Sequence, residues 1–163
     1  MMRIPTYRPA FGVLPLLIGI AICACGEVTV PIEAEPLGFE VLDVRARGGF
    51  GSDRHRVVIT DPAAFRAFWR LVAFPEGTPA PAIDFTQHTI VGASMGGRGS
   101  TGYHINVADV LRHDATLYVV IEELSPGPQC LTGAANTWPM TAALISAAMS
   151  DVEFVEREHI NDC

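Results

Sequence analysis

The segment Asp61-Pro62-Ala63-Ala64-Phe65-Arg66-Ala67-Phe68-Trp69-Arg70-Leu71-Val72 is the one stretch with a clear helical period, and this limits the architecture. Asp61 has the chemistry of an N-cap, its carboxylate accepting orphan amide protons, and Pro62 suits the first helical position. Phe65, Phe68, Trp69 and Val72 fall at i, i+3, i+4 and i+7, an apolar stripe facing a core, while Arg66 and Arg70 face away. The spacing predicts a helix to about Ala73. Everything else regular reads as strand, and with one helix few parallel crossovers can be built. The class is therefore α+β: a mainly antiparallel β-sheet or sandwich with one amphipathic helix.

Strand signals surround that helix. Leu37–Arg45 and Arg56–Thr60 flank Gly48-Gly49-Phe50-Gly51 and predict a glycine-tipped hairpin. His88–Met95 is an apolar run. Tyr103–Arg112 and Thr116–Leu124 flank the short turn His113-Asp114-Ala115, and Val152–Arg157 closes the series. Thr141–Met149 mixes helix-favouring alanine with a strand-like neighbourhood, and its first half reads as strand. Pro75-Glu76-Gly77-Thr78-Pro79-Ala80-Pro81 reads as an exposed loop.

The N-terminus has another character. Arg3 and Arg8 precede a run without charge from Phe11 to Ala24, too short to span a bilayer as a helix of about 20 residues. Residues 1–24 read as a signal peptide. Their end, Ile22-Cys23-Ala24-Cys25, resembles a bacterial lipobox, which implies cleavage before Cys25 and its lipidation. A signal cut elsewhere and an uncleaved anchor are the competing readings. Gly26 after the cysteine implies an outer-membrane or surface address in the cell envelope. Residues 25–36, rich in acid, proline and valine, read as a tether between the membrane and a single domain at 37–163.

Removing residues 1–24 takes two arginines and no acid, leaving 18 acidic residues against nine arginines. Cys23 leaves with the signal and Cys25 is used by lipid, so Cys130 and Cys163 remain in an oxidising compartment. A disulfide between them is expected, the alternative being two free thiols.

Composition removes several functional classes. All 11 basic residues are arginine, so there is no lysine for a P-loop, a Schiff base or a kinase site. A formal charge of −7 with no basic run argues against nucleic acid as a partner. Gly97-x-Gly99-x-x-Gly102 matches a dinucleotide fingerprint in letters, but that motif must open a helix, and Tyr103-His104-Ile105-Asn106-Val107 is β-patterned. Gly92-x-Ser94-x-Gly96 matches a nucleophile elbow, which also needs a helix next. No His-x-His, His-x-x-x-His or Cys-x-x-Cys spacing suggests a metal site. The expectation is a binding protein with no catalytic residue, cofactor, nucleotide or metal.

The order Asp84-Phe85, a strand to Gly92, Arg98-Gly99-Ser100-Thr101-Gly102-Tyr103-His104-Ile105, a hairpin, Ser125-Pro126-Gly127-Pro128-Gln129-Cys130 and Trp138-Pro139 resembles the PrcB family. Thr101-Gly102-Tyr103 keeps that family's T-G-G-Y sense with one glycine fewer. The resemblance covers roughly residues 61–147. It implies an exported, lipid-anchored accessory protein, akin to the PrcB subunit of a surface protease complex, and a protein partner, with a protease as one candidate. Ser100-Thr101-Gly102-Tyr103 and Trp138-Pro139 more faintly resemble loops of chagasin-like cysteine-protease inhibitors, the alternative.

The candidate partner-binding residues are Arg98, Ser100, Thr101, Tyr103 and Trp138, with the Ser125–Gln129 and Asn136–Pro139 loops beside them. Four glycines between Gly96 and Gly102 suit a flexible, exposed recognition loop, and equally a structural glycine turn. Tyr103 and Trp138 read either as interface anchors or as core residues of the sheet.

Overall fold

The computed structural model describes residues 28–45, 51–73 and 75–163. Cys25, the signal segment and residues 48–50 of the glycine tip lie outside the described residues. The elements are β1 (Glu35–Pro36), β2 (Phe39–Val41), β3 (His55–Ile59), α1 (Pro62–Val72), β4 (Thr89–Ser94), β5 (His104–His113), β6 (Thr116–Pro126), β7 (Met140–Ile145) and β8 (Val152–Asn161). They form two four-stranded sheets, ordered β1-β5-β6-β8 and β2-β7-β4-β3. The α+β class stands, with antiparallel pairing everywhere except β6–β8.

Burial explains the layering. Val91 and Ala93 of β4 with Ala143 and Ile145 of β7 meet Ile105, Val107, Val110, Leu117, Val119 and Ile121 of the facing sheet. Residues of opposite phase, Ile90 and Ala142, pack with Ile59 against Phe65, Phe68, Trp69 and Val72 of α1. The β2-β7-β4-β3 sheet is thus sandwiched between a helix and a second sheet. That is why all six residues of β4 are buried and why it reads as a continuous apolar run instead of alternating. Gly92 sits tightly under α1: a Cβ there would lie 2.8 Å from Val57 Cγ1 and 3.2 Å from Phe68 Cε2.

The helix has the boundaries its sequence implies. Asp61 Oδ1 accepts from the amides of Ala63 (2.8 Å) and Ala64 (2.9 Å), and the Ala73 N–H closes on the Trp69 carbonyl. Trp69 donates its indole N–H to the Thr78 carbonyl at 2.9 Å, tying the proline-rich loop across the helix.

Several expectations need correction. The predicted hairpin between Leu37–Arg45 and Arg56–Thr60 does not form, since β2 pairs with β7 and β3 with β4, at opposite edges of one sheet. The doubly buried β4–β7 pair takes both segments as edge partners, and that burial outweighs the local turn signal. Only Phe39–Val41 of the first segment is strand. At the end of the stretch read as a tether, Glu35 and Pro36 pair with Arg112 and Leu111 of β5.

Strand β8 pairs in parallel with β6 after the chain has passed through β7 in the other sheet, so no helical crossover is needed. Both strands outrun their apolar patterns, with Pro126 opposite Asn161, the Gly127 N–H donating to the Asn161 carbonyl, and a Cys130–Cys163 disulfide (Sγ–Sγ 2.02 Å) just beyond.

Candidate functional site

The segment Gly96–Gly102 leaves the end of β4 and is held on both sides by backbone. Met95 donates its N–H to the Pro139 carbonyl (3.0 Å). Arg98 and Thr137 exchange a pair of backbone bonds at 2.8 Å each, and Thr101 donates to the Gly133 carbonyl at 3.0 Å. On the other flank Gly97 donates to the Gly51 carbonyl at 3.1 Å. Side chains reinforce this ladder: Thr137 Oγ1 donates to the Ser100 carbonyl, and Thr101 Oγ1 accepts from the Gly133 amide.

Of the two readings, flexible loop or structural turn, the segment is the held one, joined to Gly133–Pro139 beyond the β4–β7 ladder by an isolated antiparallel bridge at Arg98 and Thr137. Gly96 has φ +75°, and a Cβ there would meet the Ser52 carbonyl oxygen at 2.3 Å, so glycine is required by both conformation and space. Only Gly99, Thr101 and Gly102 of this segment are exposed.

The candidate residues nonetheless share one surface. The Arg98 guanidinium carbon lies 5.5 Å from the centroid of the Tyr103 ring, a cation–π arrangement with both side chains half-buried. A Cβ at Gly97 would be 3.2 Å from Trp138 Nε1, so the absence of a side chain there lets the indole lie against backbone. Between Tyr103, His104, Thr137, Trp138 and Pro139 is an open depression of about 220 Å³. Tyr103 also packs on the inter-sheet core, so it joins the core to this surface.

The Ser125–Gln129 segment adjoins through Pro126, 3.3 Å from where a Gly102 Cβ would sit. It is less free than a loop, since Ser125 and Pro126 belong to β6 and Gly127 is buried.

The two motifs set aside on sequence grounds have structural explanations. Ser94 is 2% exposed, and its Oγ accepts from the Gly96 amide (3.1 Å) and donates to the Pro139 carbonyl (3.3 Å). Its hydroxyl fastens the ladder. The glycine triplet from Gly97 leads into β5, so it supplies no helix N-terminus for a pyrophosphate. Among the described residues no three His, Cys, Asp or Glu side chains are grouped to hold a metal ion.

Sequence reasoning missed a charge cluster beside this surface. Arg56 of β3 is the cross-strand partner of Ala93, which faces the second sheet, and it reaches across to Glu123 of β6 and Glu156 of β8. It uses all five N–H donors: Nε and Nη2 on Glu156 (2.8 and 2.6 Å), Nη2 also on Glu123 (2.6 Å), and Nη1 on the His55 and Ser94 carbonyls. Arg54 Nη2 bridges Glu123 (2.7 Å) and Glu158.

Burial works against the charge of Arg56, but hydrogen bonds to Glu156 and then Glu123 outweigh it and hold its pKa above the ordinary value. The hydrogen bond from Arg54 holds the Glu158 carboxyl below its ordinary value, with a smaller contribution from the charge of Arg98. That signal was readable: Leu117, Val119 and Ile121 alternate inward along β6, and the next inward position is Glu123.

With this geometry in place, one stretch of the chain can be compared with a known family. Residues 89–146 match the PrcB C-terminal family. The matched part of the chain runs from β4 to the residue after β7 and contains Arg98, Ser100, Thr101, Tyr103, Cys130 and Trp138. Helix α1, which the sequence resemblance had included, precedes it. No curated protein and no solved structure matches the chain.

Proposed function

We propose that this is an exported accessory protein, lipid-anchored at Cys25 on the cell envelope and acting by protein–protein interaction, with no catalysis of its own. The reading rests chiefly on the PrcB C-terminal match, which spans all five candidate partner-binding residues. Its recognition surface comprises the Arg98–Tyr103 pair, the exposed Gly99–Gly102 tip and Trp138.

Arginine, tyrosine and tryptophan on pinned backbone offer large contact area at low ordering cost, which is the composition of energetic centres in interfaces. Such a surface suits a protein partner, and family likeness points to a protease of the envelope. The test is crosslinking from intact membranes, comparing the wild type with Arg98→Ala plus Ser100→Ala. Both substitutions leave the backbone ladder intact, so loss of crosslinking without loss of thermal stability supports the reading. Stoichiometric inhibition of a papain-type protease would replace it with the inhibitor alternative. Turnover of a substrate would overturn both.

A further inference from the structure

Eight arginines lie among the described residues, and six are engaged. Arg54 and Arg56 hold the glutamate cluster, Arg112 faces Glu35, Arg157 faces Glu122, Arg98 covers Tyr103, and Arg45 has a partner as well. Arg66 and Arg70 make no ion pair or side-chain hydrogen bond among the described residues. They stand four residues apart on α1, both exposed, where like charges repel and weaken a helix by a few tenths of a kcal/mol. Arg70 lies in the last turn, where a cation suits the helix dipole, but neither arginine is paired among the described residues of a chain with 18 acidic residues.

Both line a groove of about 740 Å³ between the outer side of α1 and the loop through Thr78, Pro79 and Ala80. Trp69 forms part of its lining, held in place by the bond to Thr78. On the far side of Arg66 a second depression of about 280 Å³ continues toward Phe85. The surface is thus elongated, with Pro79 and Ala80 on the loop wall beside one acid, Glu76, and two arginines along the helix wall.

We propose that this groove docks an extended acidic segment of a partner protein. Residues i and i+4 of a helix have Cβ atoms about 6 Å apart. Side chains two apart on an extended chain are separated by about 6.6 Å. An acid-x-acid segment therefore places its carboxylates opposite Arg66 and Arg70 while the alternate, apolar residues meet Pro79 and Ala80. The two depressions together suit a run of chain better than a compact anion. The site is separate from the Arg98–Trp138 surface and stands or falls without it.

The probe is a fluorescein-labelled peptide, Ser-Leu-Glu-Leu-Glu-Leu-Ser, titrated by anisotropy against the full chain. Binding is expected to weaken about tenfold or more in Arg66→Gln/Arg70→Gln, in the peptide with both Glu replaced by Gln, and on raising salt. It should persist in Arg98→Ala/Ser100→Ala, so its failure is distinguishable from failure of the accessory-protein reading. Arg66→Glu/Arg70→Glu should instead bind the Lys-Leu-Lys counterpart. No anisotropy change up to millimolar concentrations, or equal binding by the Gln peptide, overturns the proposal. Displacement by glutarate as effective as by unlabelled peptide also overturns it, in favour of a small-anion site.

Discussion

Arg56 on β3 holds Glu123 on β6 across the gap between the two sheets, Nη2 to Oε1 at 2.6 Å, with Glu123 only 2% exposed. The inter-sheet core that begins with Leu117, Val119 and Ile121 thus ends in charge. Breaking such a pair from one side strands the other charge. Arg56→Met or Glu123→Met alone should destabilise by about 3–5 kcal/mol. The double variant should cost clearly less than the two summed, because an apolar pair leaves no buried ion. Denaturant titration of the four proteins checks this; additive losses would mean the two residues act independently.

Acid should loosen the same corner. Folding holds Glu158 below its ordinary value of 4.5, chiefly through its hydrogen bond from Arg54. A depressed carboxylate contributes stability that is fully present above its unfolded value and is lost as pH falls through the folded one. Asp84 acts in the same direction, held down by hydrogen bonds from the Thr86 hydroxyl and amide. The melting temperature should therefore hold steady down to about pH 5 and fall below that. Glu158→Gln should flatten part of the fall, and an unchanged profile would rule out its contribution.

Gly92 and Gly96 should fail differently. Gly92→Ala puts a methyl against Val57 and Phe68 and should cost about 1–3 kcal/mol, partly recovered by Phe68→Leu. Gly96→Ala meets the backbone carbonyl of Ser52 at positive φ, so no side-chain substitution can relieve it and its loss should be the larger. Thermal melts of the three variants decide the order.

The disulfide ties the loop after β6 to the end of β8 across a separation of 33 residues. Cys130→Ser/Cys163→Ser should lower stability by about 2–5 kcal/mol. Faster amide exchange in 125–130 and 158–163 should accompany it.

Much of this was legible in sequence. Asp61-Pro62 and the Phe65–Val72 stripe fixed the helix, because capping and periodicity act within a dozen residues. The strand β5, its turn at Asp114 and the start of β6 were equally local. The partner of each edge strand was not, because β2 and β3 gain more by flanking β4 and β7 than by pairing with each other. The parallel β6–β8 pairing depended on the path through β7. At the candidate surface, the composition of Gly96–Gly102 was visible but its pairing with Gly133–Pro139 was not. Four glycines read equally as freedom or as a structural turn, and at Gly96 the backbone is fixed in a conformation that only glycine accepts without strain.

Attachment to a membrane is tested separately from binding. Cys25→Ser should move the protein from the membrane to the soluble fraction. A wild-type protein recovered soluble, with residues before Cys25 intact, would contradict lipidation.

The most direct test of partner binding is photocrosslinking from position 99 in intact envelopes. Gly99 is exposed with nothing within 4 Å of an added Cβ, so a photoreactive residue fits there without disturbing the ladder. A discrete crosslinked protein species is expected, reduced about tenfold or more when Arg98 and Ser100 are alanine while the thermal melt is unchanged. A crosslink undiminished by those substitutions would show that the Gly96–Gly102 segment only closes the fold.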